Sequence, residues 1–105
     1  MIAVYGTRAH ESAELARLIA ERLNVRFTER ESDYRGIYLA TRHGEARIEI
    51  QPNEIPGDDD TTDLYEDRHP DIPVLALVSG PDPGGTLSAG LATIDGLALL
   101  EIWCT

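Results

Sequence analysis

Lysine is absent from this 105-residue chain, and all nine of its basic residues are arginine. Only one cysteine is present, Cys104, so no internal disulfide can form and a reducing compartment fits the sequence best. No apolar run approaches the roughly 18 residues needed to span a membrane, and the N-terminus lacks the basic and apolar regions of a signal peptide. The sequence therefore predicts a cytoplasmic protein that does not enter a membrane.

Positive charge is also scarce, since the net charge is −10. Residues 1–52 balance eight acids with eight arginines, residues 53–73 hold eight acids and one arginine, and residues 74–105 hold three acids and no base. A chain without a basic surface is not expected to bind nucleic acid. Acid gathered in one segment can attract a basic partner, although it can also serve solubility alone.

Hydrophobic periodicity predicts two helices and several strands. Apolar residues recur at helical spacing between Leu15 and Leu23, which predicts a helix that starts near residue 11 and stops at Asn24. The almost wholly apolar run at residues 74–80 predicts a central strand. The remaining predicted elements are a weaker helix at 86–94 and strands at 2–6, 25–31 and 97–103.

Two alternating segments on either side of His43-Gly44 predict a β-hairpin. A two-residue turn at these positions puts the apolar side chains of both strands on one face and the charged side chains on the other. The cross-strand pairs predicted on the apolar face are Leu39–Ile48, Ile37–Ile50 and Thr41–Ala46, and those on the polar face are Arg42–Glu45, Ala40–Arg47 and Tyr38–Glu49. Because the outer face is polar, this sheet needs cover on one side only.

The order of these elements predicts a single α+β domain over residues 1–105. We expect a two-layer sandwich in which a mostly antiparallel sheet is backed by one or two helices, with ferredoxin-like topology and an additional strand. Residues 53–73 carry several prolines and no clear periodicity, so they are predicted to form a long acidic loop. Loops of this length in small domains are usually functional or disordered.

The acidic loop does not match a calcium-binding loop. If the EF-hand template starts at Asp58, Asp63 stands where glycine is required and His69 stands where glutamate is required. We therefore predict no metal site and no cofactor. The alternatives for this loop are a docking surface and a solvated connector.

Catalytic motifs are equally scarce. "GPDPGGT" (80–86) has the glycine spacing of a phosphate loop, but Thr86 replaces the lysine and two prolines remove backbone donors. Ser79, Ser88 and Cys104 are the candidate nucleophiles, and no nucleophile-elbow motif surrounds any of them. No catalytic residue is predicted, and the sequence favours a binding protein over an enzyme.

The stretch "TERESDYRGIYLATRHGEARIEIQPN" (28–53) resembles a layout found in small actinomycete-type α+β proteins of unassigned role, some of which are treated as immunity-like. The layout is a strand, "ES-x-Y-x-G-x-Y", a hairpin and "I-x-I-Q-P-N", followed by a Pro-flanked apolar strand. The resemblance covers residues 27–53 and 73–78. It implies the fold and an immunity-like role, and it supplies no site residue.

The sequence thus predicts a non-catalytic acidic binding module, such as an immunity or inhibitor protein that masks a basic surface of a protein partner. The predicted partner-binding residues are Asp58, Asp59, Asp60, Asp63, Leu64, Tyr65, Glu66 and Asp67, with Leu64 and Tyr65 as apolar anchors. The alternative is a small-molecule-binding or accessory enzyme domain with a pocket between sheet and helix. Its rim would hold Tyr5, Arg8, His10 and Tyr38. A homodimer through an exposed sheet edge is a third hypothesis.

Overall fold

A computed structural model describes residues 2–32, 36–56, 62–64, 68–81 and 85–103. These residues form an α+β fold with a six-stranded, fully antiparallel open sheet and two helices. The strands are β1 (Ile2–Thr7), β2 (Thr28–Ser32), β3 (Gly36–His43), β4 (Ala46–Pro52), β5 (Glu54–Pro56), β6 (Thr62–Leu64), β7 (Val74–Ser79) and β8 (Leu97–Trp103), and the helices are α1 (Ser12–Leu23) and α2 (Thr86–Ala92). The six-stranded sheet has the order β2-β3-β4-β7-β1-β8, and β5 pairs with β6 in a separate sheet within the segment predicted as a loop.

The predicted helix over 11–23 is confirmed as α1. Its apolar stripe is buried through Leu15, Ile19 and Leu23. Asn24 ends the helix in the left-handed conformation, with φ 55° and ψ 51°, and its backbone N–H donates to the carbonyl oxygen of Ala20. Asparagine tolerates this conformation better than most residues, which explains why the helix stops there.

One main core lies between the helices and one face of the sheet. Leu15 and Ile19 of α1 and Leu87 of α2 pack in the same cluster as Ile48 of β4 and Ala76 of β7. Val25 and Phe27, which belong to the strand predicted at 25–31, pack at the margin of this core, although β2 itself begins at Thr28.

The predicted hairpin is present, but its predicted register is wrong by two residues. The turn is Gly44-Glu45, so His43 pairs with Ala46 and Leu39 with Ile50. Gly44 has φ +63° and Glu45 has no positive φ, which fits a turn that needs glycine at its first central position. A shift of two residues leaves every side chain on its predicted face, but it changes every cross-strand neighbour. The predicted Arg42–Glu45 pair is replaced by Arg42 opposite Arg47.

The opposite face of the sheet holds a second, smaller apolar cluster. Val4, Leu75 and Leu77 are buried there, with Ile72 and Leu100 packed against them. The polar face predicted from the sequence is therefore confined to the β3–β4 part of the sheet. This also accounts for β7, the confirmed central strand, in which five consecutive residues are buried because both of its faces are covered.

The two edge strands of the sheet differ in character. In β2, Glu29, Arg30 and Glu31 are exposed, and charged side chains of this kind protect a sheet edge from further pairing. In β8, Leu99 and Ile102 are about half exposed. The apolar edge is therefore β8.

Candidate functional site

The predicted partner-binding surface falls mostly outside the described residues. Asp58, Asp59, Asp60, Tyr65, Glu66 and Asp67 lie outside them, and only the backbone of Asp63 and Leu64 is described, in β6. The structure does describe the two ends of this acidic segment (residues 53–73). Its base consists of Asn53 and residues 68–73.

Hydrogen bonds from Asn53 join the two ends of the acidic segment. The Asn53 side chain is buried, its Nδ2 donates to the carbonyl oxygen of His69 at 3.0 Å, and its backbone N–H donates to that of Pro73 at 2.8 Å. Ile72, between these two acceptors, packs against the second apolar cluster. The acidic segment therefore leaves and rejoins the sheet at one fixed place.

Two ion pairs attach the base to neighbouring strands. Arg68, the one basic residue of the acidic segment, pairs with Glu101 of β8, and Asp71 pairs with Arg8, which follows β1. Arg68 is thus directed to a carboxylate outside the acidic segment. Among the described ion pairs, Asp71 is the one acid of the segment that meets a guanidinium group.

The four residues of the alternative ligand site are not brought together. Tyr5 is buried in the helix-side core, whereas Tyr38 is buried on the opposite face of the sheet, as the pairing of its neighbour Leu39 with Ile50 requires. Arg8 is engaged with Asp71, and His10 lies at the start of α1. A concavity of about 400 Å³ does lie beside α1, and its lining residues are Ala13, Ala16, Arg17, Ala20, Val25, Arg26 and Phe27.

His10 connects the start of α1 to the turn before β8. Its Nδ1 lies 2.6 Å from a carboxylate oxygen of Glu14, and its Nε2 lies 2.8 Å from the carbonyl oxygen of Asp95. Both partners are acceptors, so the protonated ring, which donates from both nitrogens, satisfies both bonds. The hydrogen bond to Asp95, followed by that to Glu14, raises the pKa of His10 above its usual 6.5.

We expect His10 to make stability depend on pH near neutrality. Because the pKa of His10 is higher in the folded than in the unfolded protein, its contribution is complete below about pH 6.5 and is lost as pH rises through the folded-state pKa. Urea unfolding at several pH values between about 5.5 and 8 measures this. His10→Gln should flatten the decline, whereas His43→Gln should retain it. An unchanged pH profile in His10→Gln would show that the double hydrogen bond does not form.

The described structure also holds an arginine-rich site that sequence analysis did not predict. A pocket of about 320 Å³ opens on the β2-β3-β4 end of the sheet. We call it the arginine pocket, and its lining residues are Arg26, Thr28, Arg30, Ala40, Thr41, Arg42 and Arg47. Four of the chain's nine arginines therefore surround one concavity in a protein of net charge −10.

Strand register brings these arginines together. Arg42 lies directly opposite Arg47, and Thr28 lies opposite Ala40. Continuing the β2–β3 register by two residues places Arg26 beside Arg42, and a hydrogen bond from Thr41 Oγ1 to the Arg26 carbonyl oxygen, 2.8 Å long, holds it there. Three arginines thus form a row across neighbouring chain segments, spaced by roughly 4.8 Å per strand.

Small side chains make the floor of the arginine pocket. Thr28 and Ala40 form the next cross-strand row, and Arg30, opposite Tyr38, closes the far side. Glu49 is the nearest carboxylate by register, and it pairs with Arg47 at 3.2 Å. Within the described part of the chain, Arg26, Arg30 and Arg42 form no ion pair.

Neither helix in the described part of the chain is long and apolar enough to cross a membrane. No group of three or more His, Cys, Asp or Glu side chains among the described residues is arranged to hold a metal ion. Comparison of the chain with protein-family models, with curated proteins and with solved structures finds no match.

Proposed function

We propose that this protein is a non-catalytic binding module whose acidic segment masks a basic surface of a protein partner, as an immunity or inhibitor protein does. The observation that carries the proposal is the pairing of Arg68 with Glu101 of β8. The one base of the acidic segment is engaged elsewhere, so the segment keeps its excess of acids for an external partner.

The anchored base supports the same function. Asn53 fixes both ends of the acidic segment against the sheet, so binding does not have to pay the cost of ordering these ends. Leu64 and Tyr65 are proposed as apolar anchors, and the surrounding acids as the charge that steers approach. The resemblance of residues 27–53 and 73–78 to immunity-like proteins supports this role as well.

Two finer architectural proposals accompany this one. The order β4-β7-β1-β8, with helices after β1 and β7, supports a ferredoxin-like topology extended by β2 and β3. Exposed Leu99 and Ile102 support a homodimer through the β8 edge.

Neutralising the acidic segment should slow association with the partner. We expect Asp59→Asn, Asp60→Asn and Asp63→Asn together to lower the association rate several-fold at low salt and much less at high salt, because dissolved ions screen exposed charges. The partner is first captured from a lysate of the source organism with the wild-type protein, and its binding rate is then measured by surface plasmon resonance.

The matched control variant changes the net charge by the same amount outside the acidic segment. Glu29, Glu31 and Glu45 are exposed and lie outside the acidic segment, so their replacement by glutamine should leave the association rate close to that of the wild type. Equal slowing by both triple variants would assign the effect to net charge alone. An unchanged rate in the aspartate variant would contradict the proposed function.

A further inference from the structure

The arginine pocket brings four positively charged side chains together, and among the described residues only Arg47 of these four pairs with a carboxylate. Arg42 and Arg47 are directly opposite each other in the β3–β4 ladder, and like charges at such positions destabilise a sheet. Glu49 pairs with Arg47. A fold that gathers guanidinium groups in this way gains stability when an anion enters between them.

We propose that the arginine pocket binds a compact oxyanion that carries two or more negative charges. Guanidinium groups bind phosphate and carboxylate groups through paired, charge-assisted hydrogen bonds. Arg26 and Arg42 lie side by side at one end of the pocket and Arg30 lies at the other, and none of the three forms an ion pair in the described structure. One singly charged group cannot engage all three, whereas a ligand with several anionic groups can bridge them.

Pocket size and lining narrow the ligand class. A volume of about 320 Å³ is at the small end of ligand pockets. None of the described residues that line it is aromatic, so they offer no surface on which a nucleobase could stack. Thr28, opposite Ala40, is a further polar residue of the lining, whereas the Thr41 hydroxyl already donates to the carbonyl oxygen of Arg26. The site therefore suits the anionic groups themselves, in a pyrophosphate-like or citrate-like molecule.

The test is isothermal titration calorimetry of the full chain with pyrophosphate, citrate and acetate at low and moderate salt. We expect saturable one-to-one binding of pyrophosphate or citrate that weakens with salt, and no saturable binding of acetate at the same concentrations. Tighter binding of pyrophosphate assigns the site to phosphoryl groups, and tighter binding of citrate assigns it to polycarboxylates.

Single arginine replacements locate the binding site. Arg42→Gln should weaken binding by about ten-fold or more, because it removes one charge-assisted donor pair from the centre of the row. Arg22→Gln removes the same charge from the exposed last turn of α1, outside the arginine pocket, and should leave the affinity nearly unchanged.

A second readout separates binding from folding. Arg42→Thr removes the repulsion with Arg47, so it should raise the melting temperature of the ligand-free protein while binding is lost. The polyvalent anion should raise the melting temperature of the wild type and not that of this variant.

Three results would overturn the proposal: no saturable binding of either polyvalent anion, equal weakening by Arg22→Gln and Arg42→Gln, or acetate binding as tight as that of the larger anions. The proposal would also be overturned if the protein self-associates, if pyrophosphate reverses this self-association, and if the Asp59, Asp60 and Asp63 variant does not self-associate. That result would make the acidic segment of a second copy the occupant. This proposal and the proposed function rest on separate residues, so either can fail alone.

Discussion

Replacing Leu75 with alanine is expected to lower the free energy of unfolding by about 2–5 kcal/mol. Leu75 is fully buried in β7, in the second apolar cluster with Val4 and Leu77. Removing its side chain loses the transfer free energy of three carbon atoms and leaves a cavity, because Ile72 and Leu100 cover the site from outside the sheet. Urea unfolding with a constant m-value measures the loss.

Leu99→Ala is the matched control for this change. It deletes the same atoms from a side chain that is 49% exposed on β8, and we expect a loss below about 1 kcal/mol. Leu15→Ala, in the helix-side core, should resemble Leu75→Ala. If Leu75→Ala costs no more than Leu99→Ala, the second face of the sheet is open to water and the base of the acidic segment does not cover it.

Gly80→Ala is expected to destabilise the protein by about 2–4 kcal/mol. Gly80 follows β7 with φ +100°, a conformation that L-residues rarely adopt. A Cβ at this position would also lie 2.9 Å from the carbonyl oxygen of Glu45 and 3.0 Å from the Cα of Ala46. Both contacts are with backbone at the start of β4, so relief requires β4 or the hairpin turn to move. Thermal unfolding measures the effect.

Gly44→Ala separates the cost of backbone strain from the cost of the steric contact. Gly44 also has a positive φ, +63°, but an added Cβ would meet nothing within 4 Å. Its replacement should therefore cost only the backbone strain, about 1–2 kcal/mol, and Gly44→Asn should cost less. Equal losses for Gly80→Ala and Gly44→Ala would show that β4 does not approach the end of β7 as closely as described.

Local signals in the sequence were sufficient for the main elements. The apolar spacing between Leu15 and Leu23 predicted α1, and Asn24 predicted where it ends, because both signals depend on neighbouring residues alone. The hairpin was also predicted, but not its register. Two registers that differ by two residues bury the same side chains, so the hydrophobic pattern could not choose between them, and the conformation of Gly44 did.

The arginine pocket could not be predicted because it depends on that register. In the predicted pairing, Arg42 faces Glu45 and the polar face looks neutral, whereas in the observed pairing Arg42 faces Arg47. The second apolar cluster did have a signal in the sequence. The continuous apolar run of β7 implies burial on both faces, and this implication is at odds with a sheet covered on one side. The cover comes from Ile72, within a segment whose sequence shows no periodicity.

The position of β1 between β7 and β8 affects how the chain can fold during synthesis. β1 is synthesised well before its partner strands, which begin only at Val74 and Leu97, so both of its sides stay unpaired until those strands are made. The β2-β3-β4 meander can form meanwhile from neighbouring residues. The join between the two parts of the sheet, β4-β7-β1, closes late, and a nascent chain halted before Val74 would expose β1 without either of its partner strands.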